Sequence, residues 1–86
     1  MDTENRIAVL GILISDTDSV EKVNAVLHEQ SLCIRGRMGL PLRDRGLNAV
    51  TLVLDAPANE INALTGRLGA IVGVSAKALF AKSGKS

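Results

Sequence analysis

Residues 35–46 read Arg-Gly-Arg-Met-Gly-Leu-Pro-Leu-Arg-Asp-Arg-Gly. This stretch holds four of the chain's six arginines, three of its eight glycines and one of its two prolines. Glycine adopts positive φ easily and proline fixes its own φ, so this composition is typical of a tight connection. The stretch therefore predicts a hairpin with a cationic rim, and it decides how the apolar halves on either side of it are joined.

Each half shows the same predicted order of strand, helix and strand. Residues 6–14 and 47–55 are continuous apolar runs, which favour strands buried on both faces. Apolar residues recur at helical spacing from Asp18 to Gln30 and from Pro57 to Gly73. The segments 32–38 and 74–81 alternate and predict two further strands.

Several local signals refine these elements. Asp18, followed three residues later by Glu21, predicts the N-cap of the first helix. Gly73 is predicted to end the second helix. In the segment 32–38, strict alternation places Arg35 and Arg37 on the same face of the strand.

Two strand-helix-strand units joined by a hairpin predict an α+β fold. It is the ferredoxin-like (ACT-like) βαββαβ sandwich, a four-stranded antiparallel sheet with two helices on one face. Right-handed crossovers place the first and third strands at the centre of the sheet. We expect a single domain over 1–86, with a core at about 6–81 and a polar tail at 82–86.

Two helices leave the other face of such a sheet uncovered. An apolar face of this size is rarely left in water, so we expect a homo-oligomer, a dimer or a tetramer. The residues predicted on this face are Ile7, Val9, Leu13, Leu47, Ala49 and Val53, with Arg35, Arg37 and Lys77 at its rim.

Composition excludes several other partners. The formal net charge is +1, which supplies no long-range field for nucleic acid or for a membrane surface. No apolar run reaches the roughly 18 residues of a membrane helix. A single cysteine, Cys33, excludes an internal disulfide and fits a reducing compartment, so we expect a cytoplasmic protein.

The residues also argue against an enzyme, a metal site and a cofactor. His28 is the only histidine, and no serine or cysteine nucleophile has a relay to work with. Cys33 lacks the second cysteine that the copper carriers of this fold use. Phe80 is the only aromatic residue, which excludes the stacking surface of an RNA-recognition domain.

The arginine-rich stretch provides the candidate ligand or interface site, and three interpretations of it stay open. In the first, its arginines are simply solvated. In the second, three of them converge and grip a small anionic ligand through a carboxylate or phosphate. In the third, they pair with acidic residues of a neighbouring subunit, and residues 39–41 form an ordered turn at that contact. The candidate residues are Arg37, Gly39, Leu40, Pro41, Arg43 and Arg45, of which Arg37, Arg43 and Arg45 are the converging arginines.

Three motifs resemble the iron-only hydrogenase system regulator family over about residues 6–81. They are Arg-Ile-Ala-Val-Leu-Gly-Ile at 6–12, Gly-Arg-Met-Gly-Leu-Pro at 36–41 with Arg45-Gly46, and Ala-Leu-Thr-Gly-Arg-Leu-Gly at 63–69 followed by Gly-Val-Ser at 73–75. The family is regarded as ACT-like, with a ferredoxin-like fold. This resemblance implies a regulatory module of such a system.

More distantly, the chain is similar to the C-terminal regulatory domain of nickel-responsive repressors, which assembles as a tetramer. That family binds nickel through three histidines and a cysteine. His28 falls on the first of these ligands, whereas Gly39, Pro41 and Leu47 fall on the others and have no ligating side chain. The resemblance implies a regulatory scaffold without the nickel site. Since the repressors' DNA-binding segment has no counterpart here, we expect no direct nucleic-acid contact.

These considerations predict a small oligomeric regulatory or sensory module. Two alternatives stay open. One is a structural domain that binds a regulatory protein partner and no small molecule. The other is an amino-acid-binding ACT module.

Overall fold

The structure is a computed structural model that describes residues 4–82 of the chain. Its helices and strands follow the predicted order, with short 3-10 turns at Thr17–Ser19, Ser31–Cys33 and Arg43–Arg45. Of the predicted polar tail, only Lys82 lies among the described residues. The main elements are β1 (Asn5–Ile14), α1 (Val20–Glu29), β2 (Ile34–Leu42), β3 (Leu47–Pro57), α2 (Ala58–Gly69) and β4 (Val74–Phe80).

The four strands form one antiparallel sheet in the order β2-β3-β1-β4. The first and third strands are therefore central, which confirms the predicted split βαβ arrangement. Val9 of β1 illustrates the register, since it lies opposite Val53 of β3 on one side and Leu79 of β4 on the other.

Both helices pack on the same face of the sheet and form the core with it. Along β1, every second residue from Ala8 to Ile14 is at most 2% exposed. Burial of each large aliphatic side chain contributes about 1.5–3 kcal/mol to stability. The second face of β1 and β3 was also predicted to be buried, but no helix within residues 4–82 covers it. The helix residues of the core are Val23 and Leu27 of α1 and Ile61, Leu64 and Leu68 of α2.

The connection between β1 and α1 is capped two residues earlier than predicted. The Asp16 carboxylate accepts a hydrogen bond of 3.0 Å from the Asp18 amide. The prediction that Asp18 is the N-cap is therefore wrong, because a 3-10 turn at Thr17–Ser19 precedes α1 and shifts the start of the helical path.

Gly73 has a different role from the one predicted. α2 ends at Gly69, before Gly73 is reached. Gly73 has a φ of 74°, and a Cβ at this position would lie 2.7 Å from Asp16 Cβ. Its carbonyl accepts a hydrogen bond of 2.8 Å from the Ser15 amide. Gly73 therefore lets the α2–β4 connection pass against the β1–α1 connection.

A β-bulge in β2 changes which arginines share a face. Ile34 lies opposite Leu54, and Gly36 lies opposite Val53, so Arg35 is the extra residue. One extra residue shifts every following side chain to the other face. The prediction that Arg35 and Arg37 share a face is therefore wrong.

No helix within residues 4–82 has the length and apolar character needed to cross a membrane.

Substitution of Gly73 tests the close passage between the two connections. We expect Gly73→Ala to destabilise the fold more than Gly46→Ala. Gly46 also has a positive φ, of 67°, but an added Cβ there meets nothing within 4 Å. Left-handed strain costs about 1–2 kcal/mol in both variants, and crowding against Asp16 adds about 1–3 kcal/mol in Gly73→Ala alone.

Urea unfolding at one fixed protein concentration measures these differences. Gly66→Ala is the matched control. Gly66 lies within α2 in open space, so alanine should stabilise the helix by about 0.5–1 kcal/mol. Equal free energies of unfolding for Gly73→Ala and Gly46→Ala would contradict the proposed contact.

Candidate functional site

The sheet surface opposite α1 and α2, which we call the outer face, is the main candidate site. Its residues follow from the register: Val53, Val9 and Leu79 form one row, and the next row towards Ile14 contains Thr51, Gly11 and Lys77. β2 adds its side chains at one edge. The further outer-face residues are Ile7, Leu13, Gly36, Met38, Leu40, Leu42, Leu47, Ala49, Asp55 and Ser75.

This face concentrates the exposed apolar side chains of the chain. Seven of the nine large hydrophobic residues that are exposed among residues 4–82 lie on it. The other two, Leu32 and Val72, lie in connections and are 99% and 71% exposed. The seven are Ile7, Val9, Leu13, Met38, Leu40, Val53 and Leu79.

The charged groups of the outer face are few. The Arg35 guanidinium donates a hydrogen bond of 2.8 Å to the Asp55 carboxylate at one end of the face. Lys77 lies on the edge strand β4, opposite Gly11, and no hydrogen bond or ion pair within the described chain engages its ammonium. The predicted rim is therefore confirmed for Arg35 and Lys77 but is wrong for Arg37, which the bulge directs to the helix side.

A hollow of about 400 Å³ lies on the outer face around Gly11. It exists because Gly11 has no side chain, and a Cβ there would meet nothing nearer than the Lys77 carbonyl oxygen at 4.0 Å. Thr51 and Lys77 flank Gly11 on the two neighbouring strands. The other outer-face side chains that line the hollow are Leu13, Ala49 and Ser75.

The arginine-rich stretch is largely a strand and not a loop. β2 continues to Leu42, which pairs with Leu47, so the turn consists of Arg43–Arg45 and Gly46. The prediction that residues 39–41 form the turn is therefore wrong. β2 is an edge strand, and an edge strand tolerates a proline such as Pro41, which has no amide hydrogen to donate to a second neighbouring strand.

The structure separates the three arginines that were predicted to converge. Arg37 donates a hydrogen bond of 2.7 Å to the Asn24 side chain on α1. Leu42, where β2 ends, lies five residue steps further along the strand, at about 3.4 Å per step. Arg43 and Arg45 lie beyond that end in the turn, so the predicted three-arginine grip is wrong for Arg37.

The remaining candidate residues divide between two surfaces. Leu40 lies on the outer face opposite Ala49, whereas Gly39 lies opposite the buried Val50. A second hollow of about 360 Å³ lies at the end of the hairpin. Its lining residues are Thr17, Pro41, Arg43, Gly46, Leu47 and Asn48, and Arg45 is not among them.

Within residues 4–82, no three histidine, cysteine, aspartate or glutamate side chains lie close enough to hold a metal ion. His28 is exposed on α1, and the Cys33 thiol lies 3.9 Å from the Gln30 side-chain oxygen. The outer face itself offers apolar side chains, the hydroxyl groups of Thr51 and Ser75, the Lys77 ammonium and the Arg35–Asp55 ion pair.

The antiparallel sheet order β2-β3-β1-β4, with two helices on one face, defines an α+β domain of the ferredoxin-like, ACT-like class. The chain belongs to the TM1266-like family, whose description is "Iron-only hydrogenase system regulator, putative" and whose sequence model matches residues 6–78. This membership confirms the resemblance seen in the motifs.

A solved structure supports the same assignment. The chain is similar to the uncharacterized protein TM1266 from Thermotoga maritima, with a TM-score of 0.88 and 35% identity. The match covers 92% of this chain and 100% of that one. A comparison with curated proteins finds no match.

Three of the four nickel-ligand positions of the nickel-responsive repressors have no ligating side chain in this chain, which predicts weak nickel binding. At the positions of the other three ligands, Gly39, Pro41 and Leu47 offer neither imidazole nor thiolate, and one exposed imidazole is a weak site. Isothermal titration with nickel should show no stoichiometric binding below micromolar concentrations. The matched variant is His28→Ala: tight binding in the wild type that disappears in this variant would contradict the prediction.

Proposed function

We propose that the protein is a non-enzymatic regulatory module of an iron-only hydrogenase system, and that it works as a homo-oligomer. The observation that carries this proposal is the outer face, where seven exposed large hydrophobic side chains lie together. The family description supplies the regulatory role. The apolar face supplies the physical reason for assembly, since contiguous apolar surface of this kind is typical of an interaction site.

The size of the outer face fits a specific interface. Four strands at about 4.8 Å spacing and nine residues at about 3.4 Å rise give a surface of roughly 19 by 30 Å. Two such faces together cover on the order of 1,100 Å² before the relief of the side chains is counted. That area approaches the roughly 1,200–2,000 Å² buried in stable protein–protein interfaces.

The charge of the face favours a second copy of the chain as its occupant. Asp55 is already paired with Arg35, so among the described residues the face presents one unpaired charge, Lys77, which is too little to demand an oppositely charged protein surface. A two-fold axis brings the same apolar side chains together from both copies. Two sheets packed in this way lie about 10 Å apart and bury one another's side chains as a β-sandwich does.

The remaining parts of the proposal have separate support. Oligomerisation leaves Arg43 and Arg45 at the hairpin tip, where they offer a cationic contact to a regulatory protein partner or to a small anion.

A net charge of +1 supports action through such partners instead of direct binding to nucleic acid. The free Cys33 thiol supports a reducing compartment, the cytoplasm.

Charged substitutions on the outer face test the assembly. We expect Val53→Asp and Leu40→Asp to weaken self-association by at least about 100-fold. An unpaired charge in an apolar interface costs several kcal/mol, and two-fold symmetry introduces it twice. Sedimentation equilibrium over a concentration series measures the effect, and circular dichroism checks that the fold persists.

Leu32→Asp provides the matched control, because Leu32 is 99% exposed and lies outside the outer face. This variant should assemble like the wild type. A wild-type protein that stays monomeric at micromolar concentration, or a Leu32→Asp variant that dissociates as readily as Val53→Asp, would overturn the proposed interface. Native mass spectrometry of the wild type would also show whether an assembled protein retains a small molecule.

A further inference from the structure

We propose that the hollow around Gly11 binds a small aliphatic monocarboxylate whose anionic group pairs with the Lys77 ammonium. The proposal deepens the proposed function and rests on it, because packing of two outer faces encloses the hollow. The ligand would lie between the copies.

The shape of the hollow fits a small organic molecule. Its volume of about 400 Å³ lies within the roughly 300–1,000 Å³ range of small-molecule sites. Leu13 and Ala49 supply apolar walls, and Thr51 and Ser75 supply hydroxyl groups. A mostly apolar lining with a few polar groups is typical of ligand sites.

The charge of Lys77 decides what the hollow can hold. In an isolated chain its ammonium is exposed to water. When a second sheet covers the outer face, the Lys77 ammonium loses water on the covered side, and an ammonium that loses water without gaining a counterion is unfavourable. An apolar side chain from the partner would fill the space but leave the ammonium unpaired, whereas an anion would fill it and neutralise the charge.

The protein itself offers Lys77 a poor counterion. The acidic residue that β1 to β4 place on the outer face is Asp55, and Arg35 already holds its carboxylate at 2.8 Å. On the same chain, Asp55 lies two strands across and about 14 Å along the strand direction from Lys77, as the register shows. A ligand carboxylate within the hollow can pair with Lys77 without breaking an existing ion pair.

The lining also selects among anions. A single ammonium matches a single negative charge, so a phosphate dianion would retain an unpaired charge. An amino acid would bring an ammonium group into a hollow that contains no carboxylate. A monocarboxylate with an aliphatic body leaves neither kind of unpaired charge and places its body against Leu13 and Ala49.

Three matched probes test this selectivity on the intact protein. Isocaproate carries the carboxylate, isocaproamide is its neutral analogue, and leucine is the same skeleton with an added ammonium. Titration followed by amide NMR shifts of residues around the hollow should show saturable binding of isocaproate. Isocaproamide and leucine should each bind at least about tenfold more weakly, since a charge-assisted hydrogen bond is lost or an unpaired charge is gained. Equal affinity for all three would overturn the proposal.

Two variants locate the site. Lys77→Gln should weaken isocaproate binding by at least about tenfold, and Gly11→Val should abolish it by filling the hollow from its floor. Valine suits this position, because Gly11 does not have a positive φ and a Cβ there is not crowded. Lys22→Gln, on the exposed surface of α1, removes the same charge elsewhere and should bind like the wild type. Unchanged binding in Gly11→Val or Lys77→Gln would overturn the site.

Sedimentation of the same samples separates this proposal from the proposed oligomer. An assembled wild type that binds no isocaproate would overturn the carboxylate site and leave the oligomer standing. In that case, coupled effects of Lys77→Gln and Asp55→Asn on assembly would identify the partner's Asp55 as the counterion. A wild-type protein that stays monomeric and still binds isocaproate would overturn the proposed oligomer. The carboxylate site would then stand on its own, provided that binding depends on Gly11 and Lys77.

Discussion

Two helices are as wide as four strands, and this constraint shapes the whole molecule. A helix with its side chains is about 10 Å across, so α1 and α2 side by side span about 20 Å, and four strands at about 4.8 Å span about 19 Å. The helices therefore cover one sheet face completely and leave nothing for the other. The central strands are nevertheless apolar on both faces, as Val9 and Val53 show on the uncovered side. The sequence thus gives the central strands apolar side chains on both faces, of which the chain's own helices cover one.

The fold was predictable because its signals are local and mutually consistent. The apolar runs in β1 and β3 identify the central strands, and the helical spacing of Ile61, Leu64 and Leu68 identifies the buried side of α2. The bulge at Arg35 was not predictable, because a bulged strand and a regular strand can have the same sequence pattern. The bulge is visible only in the pairing of β2 with β3. Gly73 marks a boundary in the sequence, but the reason for it lies 57 residues away, at Asp16, and appears only when both connections are in place.

The candidate site shows the same division. The density of arginine and glycine in 35–46 suggested a loop, yet β2 runs through Pro41. An edge strand tolerates proline, and among the described residues β2 has a neighbouring strand, β3, on one side only. The hollow around Gly11 was missed because its lining comes from three strands that are distant in sequence. A glycine within the apolar run of β1 was the available signal, and only the register shows that Thr51 and Lys77 lie beside it. Patterns within one segment predict elements, whereas sites depend on the alignment between segments.

Lys77 gives the outer face a property that a purely apolar surface would lack. A covered ammonium opposes assembly, and an anion that binds beside it removes that opposition. A ligand that binds the assembled state more tightly than the separate chains shifts the equilibrium towards assembly by that difference in affinity. Assembly raises the affinity for the ligand by the same factor. The stronger the penalty for covering Lys77 alone, the larger this coupling becomes. Within the proposed function, one lysine on an apolar sheet is therefore sufficient to make the oligomeric state of the module responsive to a small molecule.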